Sequence, residues 1–258
     1  MRRSGAPAVA RLSLLEGADR ASGMCVVIDV FRAGTFACLA LEKGAEHVIP
    51  AGTVEEARAL KARNPAWILA GERGGSILPG FDTGNSPTLL LDMDLIGRTV
   101  IHATSAGTRG LLRARTCCDT VLMACFANAG AAARYVLSAG ARRVTLVAMG
   151  DDGTTPATED EEFAAFFESA LVRGGRLPDP GPWLARIRRS GAPRRFEESV
   201  DPSMPPADVQ TCLSIDTAVS VPLLGTMADG TPALTDAFRD PAAWTSGRKR
   251  VDKNMDFP

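Results

Sequence analysis

From about Met24 to Ala148 the chain alternates short apolar runs with segments of helical periodicity, and that alternation is what most limits its fold. A brief apolar run bounded by Gly or Pro reads as a strand buried on both faces. A helical segment between two such runs supplies the crossover that a parallel strand pair needs. The expected class is α/β, a three-layer α/β/α arrangement around a largely parallel or mixed central sheet.

Met24 to Val30 reads as the first strand, and Ala33 to Lys43 as a helix closed by Gly44 in a left-handed C-terminal position. His47 to Pro50 opens the next strand, and Thr53 with Glu56 forms a capping box for a helix to about Arg63. Trp67 to Ala70 is a short strand before a long loop, Gly71 to Pro87. Strands follow at Thr99 to Ala103, Thr120 to Cys125 and Arg143 to Ala148, with helices at Thr108 to Ala114 and from an Asn128 cap to Ser138. Thr158 and Glu161 suggest a second capping box, for a helix to about Arg173. Prolines between Pro178 and Pro206 then break the chain, around a helix at Trp183 to Arg189, before a last strand at Thr217 to Val221. One catalytic domain over residues 24–225 is expected, with room for a second lobe from about 151. Residues 1–23 and 226–258 read as extensions. Gly44–Val48 and Gly140–Val144 share a Gly-Ala-x-x-Val pattern, which αβ turns often show and which is not taken as a duplication.

A formal net charge of −1 gives no field that would gather nucleic acid or a membrane surface. No run of roughly 18 apolar residues exists to span a bilayer, and the charged N-terminus is not followed by a secretory apolar segment. The six cysteines show no CxxC spacing and point to a reducing cytoplasm. Dinucleotide, P-loop and nucleophile-elbow motifs are absent, and His47 and His102 are too few for a His-rich zinc site. His102, inside a strand run, reads as a core residue.

Ligands of open α/β sheets bind beyond the carboxyl ends of the strands. Two chemical sets gather there in this sequence. Asp29, Glu72, Asp82, Asp151, Asp152, Glu159 and Asp160 are hard oxygen donors, suited to Mg²⁺ or Mn²⁺. Arg32, Arg73 and Arg109, with Thr104, Ser105, Gly107 and Thr108 at a helix start, suit an anion.

These residues lie in blocks that resemble the 2-phosphosulfolactate phosphatase family, named for a step in coenzyme M biosynthesis. The blocks are Val27-Ile28-Asp29-Val30-Phe31-Arg32-Ala33, Gly71-Glu72-Arg73-Gly74-Gly75, Pro79-Gly80-Phe81-Asp82-Thr83-Gly84-Asn85-Ser86-Pro87, the Ala103–Gly110 stretch and Phe126-Ala127-Asn128-Ala129. Glu159-Asp160 and Leu213-Ser214-Ile215-Asp216 also fit. The resemblance implies a Mg²⁺-dependent phosphatase acting on a small anionic phosphomonoester, with 2-phospho-3-sulfolactate giving 3-sulfolactate and phosphate. Asp29, Arg32, Glu72 and Arg73 would carry catalysis. Thr104, Ser105, Gly107, Thr108, Arg109, Asn128, Asn85 and Ser86 would bind substrate, and Asp29, Glu72, Asp82, Glu159 and Asp160 the metal. A homodimer is compatible with this reading. Ser105-Ala106 stands where the family has Thr-Asn, and Phe163-Ala164-Ala165 where it has Cys-Ala-Gly, which leaves another phospho-acid open as substrate. Residue 31 is Phe, so the Asp-x-Asp of aspartyl-phosphate enzymes is missing and attack by water is preferred. A sensor of phosphorylated or sulfonated metabolites would need the arginines but not the carboxylates.

Overall fold

The computed structural model describes residues 6–239. Its strands are β1 Ala8–Ser13, β2 Met24–Ile28, β3 His47–Pro50, β4 Ile68–Arg73, β5 Ser76–Ile77, β6 Thr99–Ala103, β7 Thr120–Met123, β8 Arg143–Ala148, β9 Pro222–Thr226 and β10 Pro232–Asp236. The helices are α1 Leu14–Asp19, α2 Ala33–Glu42, α3 Val54–Arg63, α4 Pro87–Leu90, α5 Gly107–Ala114, α6 Ala129–Ser138, α7 Thr158–Val172, α8 Gly181–Ser190, α9 Arg194–Glu197 and α10 Ala207–Leu213. The strands form one mixed sheet ordered β1-β8-β2-β7-β9-β10-β3-β6-β4-β5, as expected for an α/β protein.

Strand β2, Met-Cys-Val-Val-Ile, is buried throughout because it has parallel neighbours on both sides and helices on both faces. Cys25 and Val27 join a core with Phe36 and Leu41 of α2 and Leu111 of α5. Met24, Val26 and Ile28 face the opposite way, toward Val136 of α6 and Phe163, Phe166 and Phe167 of α7. Helix α7 therefore shares the core of β2, and residues after 151 do not begin with a lobe of their own.

The segments β2-α2-β3-α3-β4 and β6-α5-β7-α6-β8 repeat one plan. They open at Met24 and Thr99, 75 residues apart, and their last strands open at Ile68 and Arg143, at the same spacing. Each gives its first strand to the other: β2 lies between β8 and β7, and β6 between β3 and β4. The β9–β10 hairpin joins the halves through antiparallel pairings. Helices α2 and α5 begin with the same tripeptide, Ala33-Gly34-Thr35 and Ala106-Gly107-Thr108. The two units thus share topology and spacing, out of register with the Gly-Ala-x-x-Val pattern, which matches the end of α2 to the end of α6.

Other expectations need correction. The 1–23 segment contains β1, which pairs with β8 in register from Ala8–Arg143 to Ser13–Ala148. Strand β10 lies inside the supposed C-terminal extension, whose residues 240–258 fall outside the described ones. Thr217–Val221 is loop: Asp216 and Ala218 donate to the carbonyls of Phe126 and Ala127 instead of joining a ladder. The Thr158–Glu161 capping box does not form, since Ala157 is the cap position and Glu161 accepts from Ser13 Oγ. The Thr53–Glu56 box does form, with Glu56 N–H to Thr53 Oγ1 at 3.0 Å and Gly52 N–H to Glu56 Oε2 at 2.8 Å.

Candidate active site

Although β2 and β6 lie in opposite halves of the sheet, the segments that follow them meet, so α2 and α5 start against each other. Asp29, just past β2, accepts from Ala33 N–H at 3.0 Å and also from the Gly107 backbone. Glu72, on β4, accepts from Ser105 N–H at 2.8 Å with Oε1, and from Gly75 N–H at 2.8 Å and Ser105 Oγ at 3.3 Å with Oε2. Gly74 and Gly75, at φ 60° and 92°, form the two-residue turn of the β4–β5 hairpin that aims the Gly75 N–H at Glu72. Thr108 N–H donates to Thr104 Oγ1 at 3.2 Å, and Thr104 N–H to Thr108 Oγ1 at 3.1 Å. The free N–H groups of a helix start favour negative charge. At α5 they are taken by the protein's own acids and hydroxyls. The Thr104–Thr108 stretch, expected to cradle the substrate's anion, instead holds two carboxylates in place.

More acids stand behind these. Asp160 accepts from Val30 N–H at 2.7 Å and Gly150 N–H at 2.8 Å, tying the loops after β2 and β8 together. Glu159 Oε1 is 3.5 Å from Arg195, and its buried Oε2 has no donor. Burial raises the Asp29 carboxyl to about 6 despite the Ala33 N–H, with the neighbouring Glu72 charge adding to the rise. Burial likewise lifts Glu159 to about 7, with Asp151 and Asp29 contributing. Asp160 is pushed well above the carboxylate range by burial and then by the Asp29 and Glu159 charges. Acids crowded and shifted in this way mark the cleft as the candidate functional site.

The cleft in front of them has a volume of about 190 Å³, room for a small molecule. Asp29, Glu72, Asp151 and Asp152 line it, against the guanidinium groups of Arg32 and Arg195; Asn85, Ser105, Phe196 and Met204 complete the walls. Arg32 is largely committed to the protein itself. Its guanidinium is 2% exposed and donates to Asp208 at 2.9 Å, to Ser203 O at 2.9 Å and to Gly75 O. Asn85 meets Nε2 of the buried His102 at 2.8 Å, and His102 stacks on Phe36, as a core histidine should.

Several expected residues lie elsewhere. Asp82 pairs with Lys61 at 2.7 Å and accepts from Leu69 N–H at 2.8 Å; it is half exposed and does not line the cleft. Arg73 and Arg109 bond the carbonyls of Glu72 and Ser105, and neither lines the cleft. Asn128 is a buried staple between Cys125 N–H, at 2.9 Å, and Ser220 O, at 3.1 Å. Ser86 caps α4 and donates to Asp208 at 2.6 Å. Conversely, Arg195 and Asp208 belong to no motif. Their only sequence signal is position in the Pro-rich segment after α7.

Among the described residues no three His, Cys, Asp or Glu side chains are assembled as a metal cage. Mg²⁺ is seldom held that way; it takes one or two carboxylates and fills its shell with water and substrate oxygens. Asp29 and Glu72 fit that pattern, and the buried Glu159 behind them has an oxygen without a donor. Of the expected metal set, only Asp29 and Glu72 line the cleft; Asp82 is remote, and Asp160 and Glu159 stand behind it.

A family model described as 2-phosphosulpholactate phosphatase matches residues 11–226. The chain belongs to that family. A relative from Deinococcus radiodurans, named a probable 2-phosphosulfolactate phosphatase, is 36% identical over 65% of this chain and 70% of its own. A similarly named protein from Thermus thermophilus is 30% identical over 77% of this chain and 86% of its own. One from Caldicellulosiruptor saccharolyticus is 38% identical over 43% of this chain, and the match spans less than half, 46%, of that relative. The family match runs from β1 to β9, so it includes both units and every residue lining the cleft. No helix among the described residues is long and apolar enough to cross a membrane.

Proposed function

We propose that this protein is a Mg²⁺-dependent phosphatase of a small anionic phosphomonoester, and that the ester is 2-phosphosulfolactate, the compound in its relatives' names. The observation that carries the reading is the pairing of Asp29 and Glu72, brought from the two halves of the sheet into one small cleft by the helix start they share. Four carboxylates line that cleft and one of its two arginines is spent on Asp208, so a multiply charged phosphate ester needs an added cation there.

Asp29 and Glu72 are the residues that would hold Mg²⁺, with Mn²⁺ as an alternative. A metal bound there offsets charge on the phosphoryl oxygens and makes a bound water more acidic. Backbone N–H groups fix both carboxylates, so neither needs to reorganise when the ester arrives. Because Asp29 is held by Ala33 and by Gly107, its oxygens are poorly free to attack phosphorus, and water is the preferred nucleophile. The size of the cleft favours a compact phospho-acid over a nucleotide or peptide.

The deciding experiment is phosphate release from small phosphomonoesters after EDTA treatment, with Mg²⁺, Mn²⁺ or Zn²⁺ restored. Phospho-acids should be hydrolysed with Mg²⁺ or Mn²⁺, without need of Zn²⁺. Full turnover by the metal-free protein would remove the metal from the reading, and no turnover of any phospho-acid would remove the phosphatase.

A further inference from the structure

Among the arginines expected to clamp the substrate, Arg32 is buried and paired with Asp208, while Arg73 and Arg109 lie off the cleft. Arg195 is different. It lines the cleft with 38% of its side chain exposed. It sits in α9, directly after Pro193 and the helix-opening Arg194.

Its guanidinium is held in place from several directions. It donates to Asp151 Oδ1 and, at 3.0 Å, to Phe31 O; Glu159 Oε1 lies 3.5 Å away. The Phe196 ring lies 4.9 Å from its central carbon and 5.2 Å from that of Arg32, so one ring serves both cations. A planar fork held this way loses little freedom on binding a further anion. The flanking Phe196 and Met204 lower the local polarity, which strengthens a charge-assisted hydrogen bond.

We infer that Arg195 receives the second anionic group of the ester, the sulfonate or carboxylate beyond the phosphate, and thereby sets the preference for phospho-acids over neutral-tailed monoesters. The inference rests on the phosphatase reading for its reaction but concerns a separate wall of the cleft. Asp29 and Glu72 serve the phosphate end, while Asp151, Glu159 and Phe196 hold Arg195 for the other. Asp151 then acts as a positioning residue, fixing the guanidinium without spending all of its donors.

The test compares parent, Arg195→Ala and Arg195→Lys, each with Mg²⁺, on 2-phospho-3-sulfolactate, phospholactate and p-nitrophenyl phosphate. Arg195→Ala should raise KM for the phospho-acids by about 10- to 100-fold, the span of a charge-assisted hydrogen bond. Its loss in kcat/KM for p-nitrophenyl phosphate should be at least about tenfold smaller than that for the phospho-acids, because that ester has no second anion for Arg195 to meet. Arg195→Lys keeps a cation beside Asp151 and Glu159 and should recover part of the loss. A loss confined to the sulfonated ester assigns the sulfonate, and a loss on both acids assigns the carboxylate. An equal loss on all three esters, or none on any, overturns the inference. Calorimetric binding of 3-sulfolactate, which needs no turnover, separates the two readings. A parent that binds it without hydrolysing any ester fails as a phosphatase, and weaker binding by Arg195→Ala still upholds the subsite. Equal binding by parent and variant overturns the subsite even if phosphate is released.

Discussion

Asp29 and Gly107 touch across the two helix starts: a Cβ on Gly107 would lie 2.7 Å from Asp29 Oδ2 and 2.8 Å from Ala33 Cβ. The contact joins the α2 start of one unit to the α5 start of the other, and no side chain fits between them. Gly107→Ala should therefore push the Asp29 carboxylate out of place or separate α2 from α5. Overpacking of this kind costs about 1–3 kcal/mol. Melting temperature should fall, and phosphate release should fall further than the stability loss explains. A variant with parental melting and turnover would show that the two helix starts are not tightly coupled.

Arg32 and Asp208 form a buried ion pair, their side chains 2% and 0% exposed. Asp208 also accepts from Ser86 Oγ at 2.6 Å and Thr88 N–H at 3.1 Å, so it fastens α10 to α4 as well. Removing one member of such a pair strands a charge, at about 3–5 kcal/mol. Asp208→Ala should lower the urea midpoint sharply. Arg32→Met combined with Asp208→Leu should be more stable than either single replacement. If the double variant is the least stable of the three, the ion pair is not the cause.

What the sequence discloses follows from burial. Strands β2, β3, β6 and β8 read clearly because both faces are covered, which leaves nearly unbroken apolar runs. Strand β1 is an edge strand with Arg11 on it and three exposed residues, so its pattern resembles loop. Asp29 and Glu72 stand out because they are acids at strand ends. Asp208 looks in sequence like any acid in the first turn of a short helix, and Arg195 like either half of an Arg pair. Their roles depend on where α9 and α10 pack, which local periodicity does not encode. The fates of Arg73, Arg109 and Asp82 are likewise set by a nearby carbonyl or lysine rather than by the motifs that contain them.

His102 supplies a pH dependence of definite sign. Burial, and then the Arg32 charge, lower its pKa from about 6.5 to about 3. Between those values the unfolded chain binds a proton that the folded protein excludes. The histidine's contribution to stability is therefore complete above pH 6.5 and is lost as pH falls, by up to about 1.4 kcal/mol per unit. Asp29 and Glu159, raised to about 6 and 7, act in the opposite direction, because the folded protein binds protons that the unfolded chain releases. The informative quantity is the difference between the parent and His102→Gln, whose side-chain amide can still donate to Asn85. Urea unfolding at pH 7, 6 and 5 should show the parent losing ground to the variant as pH falls. A constant difference would mean that His102 takes up a proton in the folded state.

Asp29→Asn tests the metal without depending on a chosen substrate. Asn has the size of Asp but removes one negative charge from the cleft that Asp29 lines with Glu72. In the parent, Mg²⁺ at a hundred times its dissociation constant should stabilise the fold by about 2.7 kcal/mol, seen as a rise in melting temperature. That rise should vanish in Asp29→Asn, and turnover should fall by at least about a hundredfold, which is roughly 2.7 kcal/mol of barrier. Asp82→Asn is the control, because Asp82 pairs with Lys61 away from the cleft. Its Mg²⁺ response and turnover should match the parent's. The reverse outcome, with the response lost in Asp82→Asn and kept in Asp29→Asn, would move the metal to the loop after β5. The common start of α2 and α5 would then be only a structural junction between the two units.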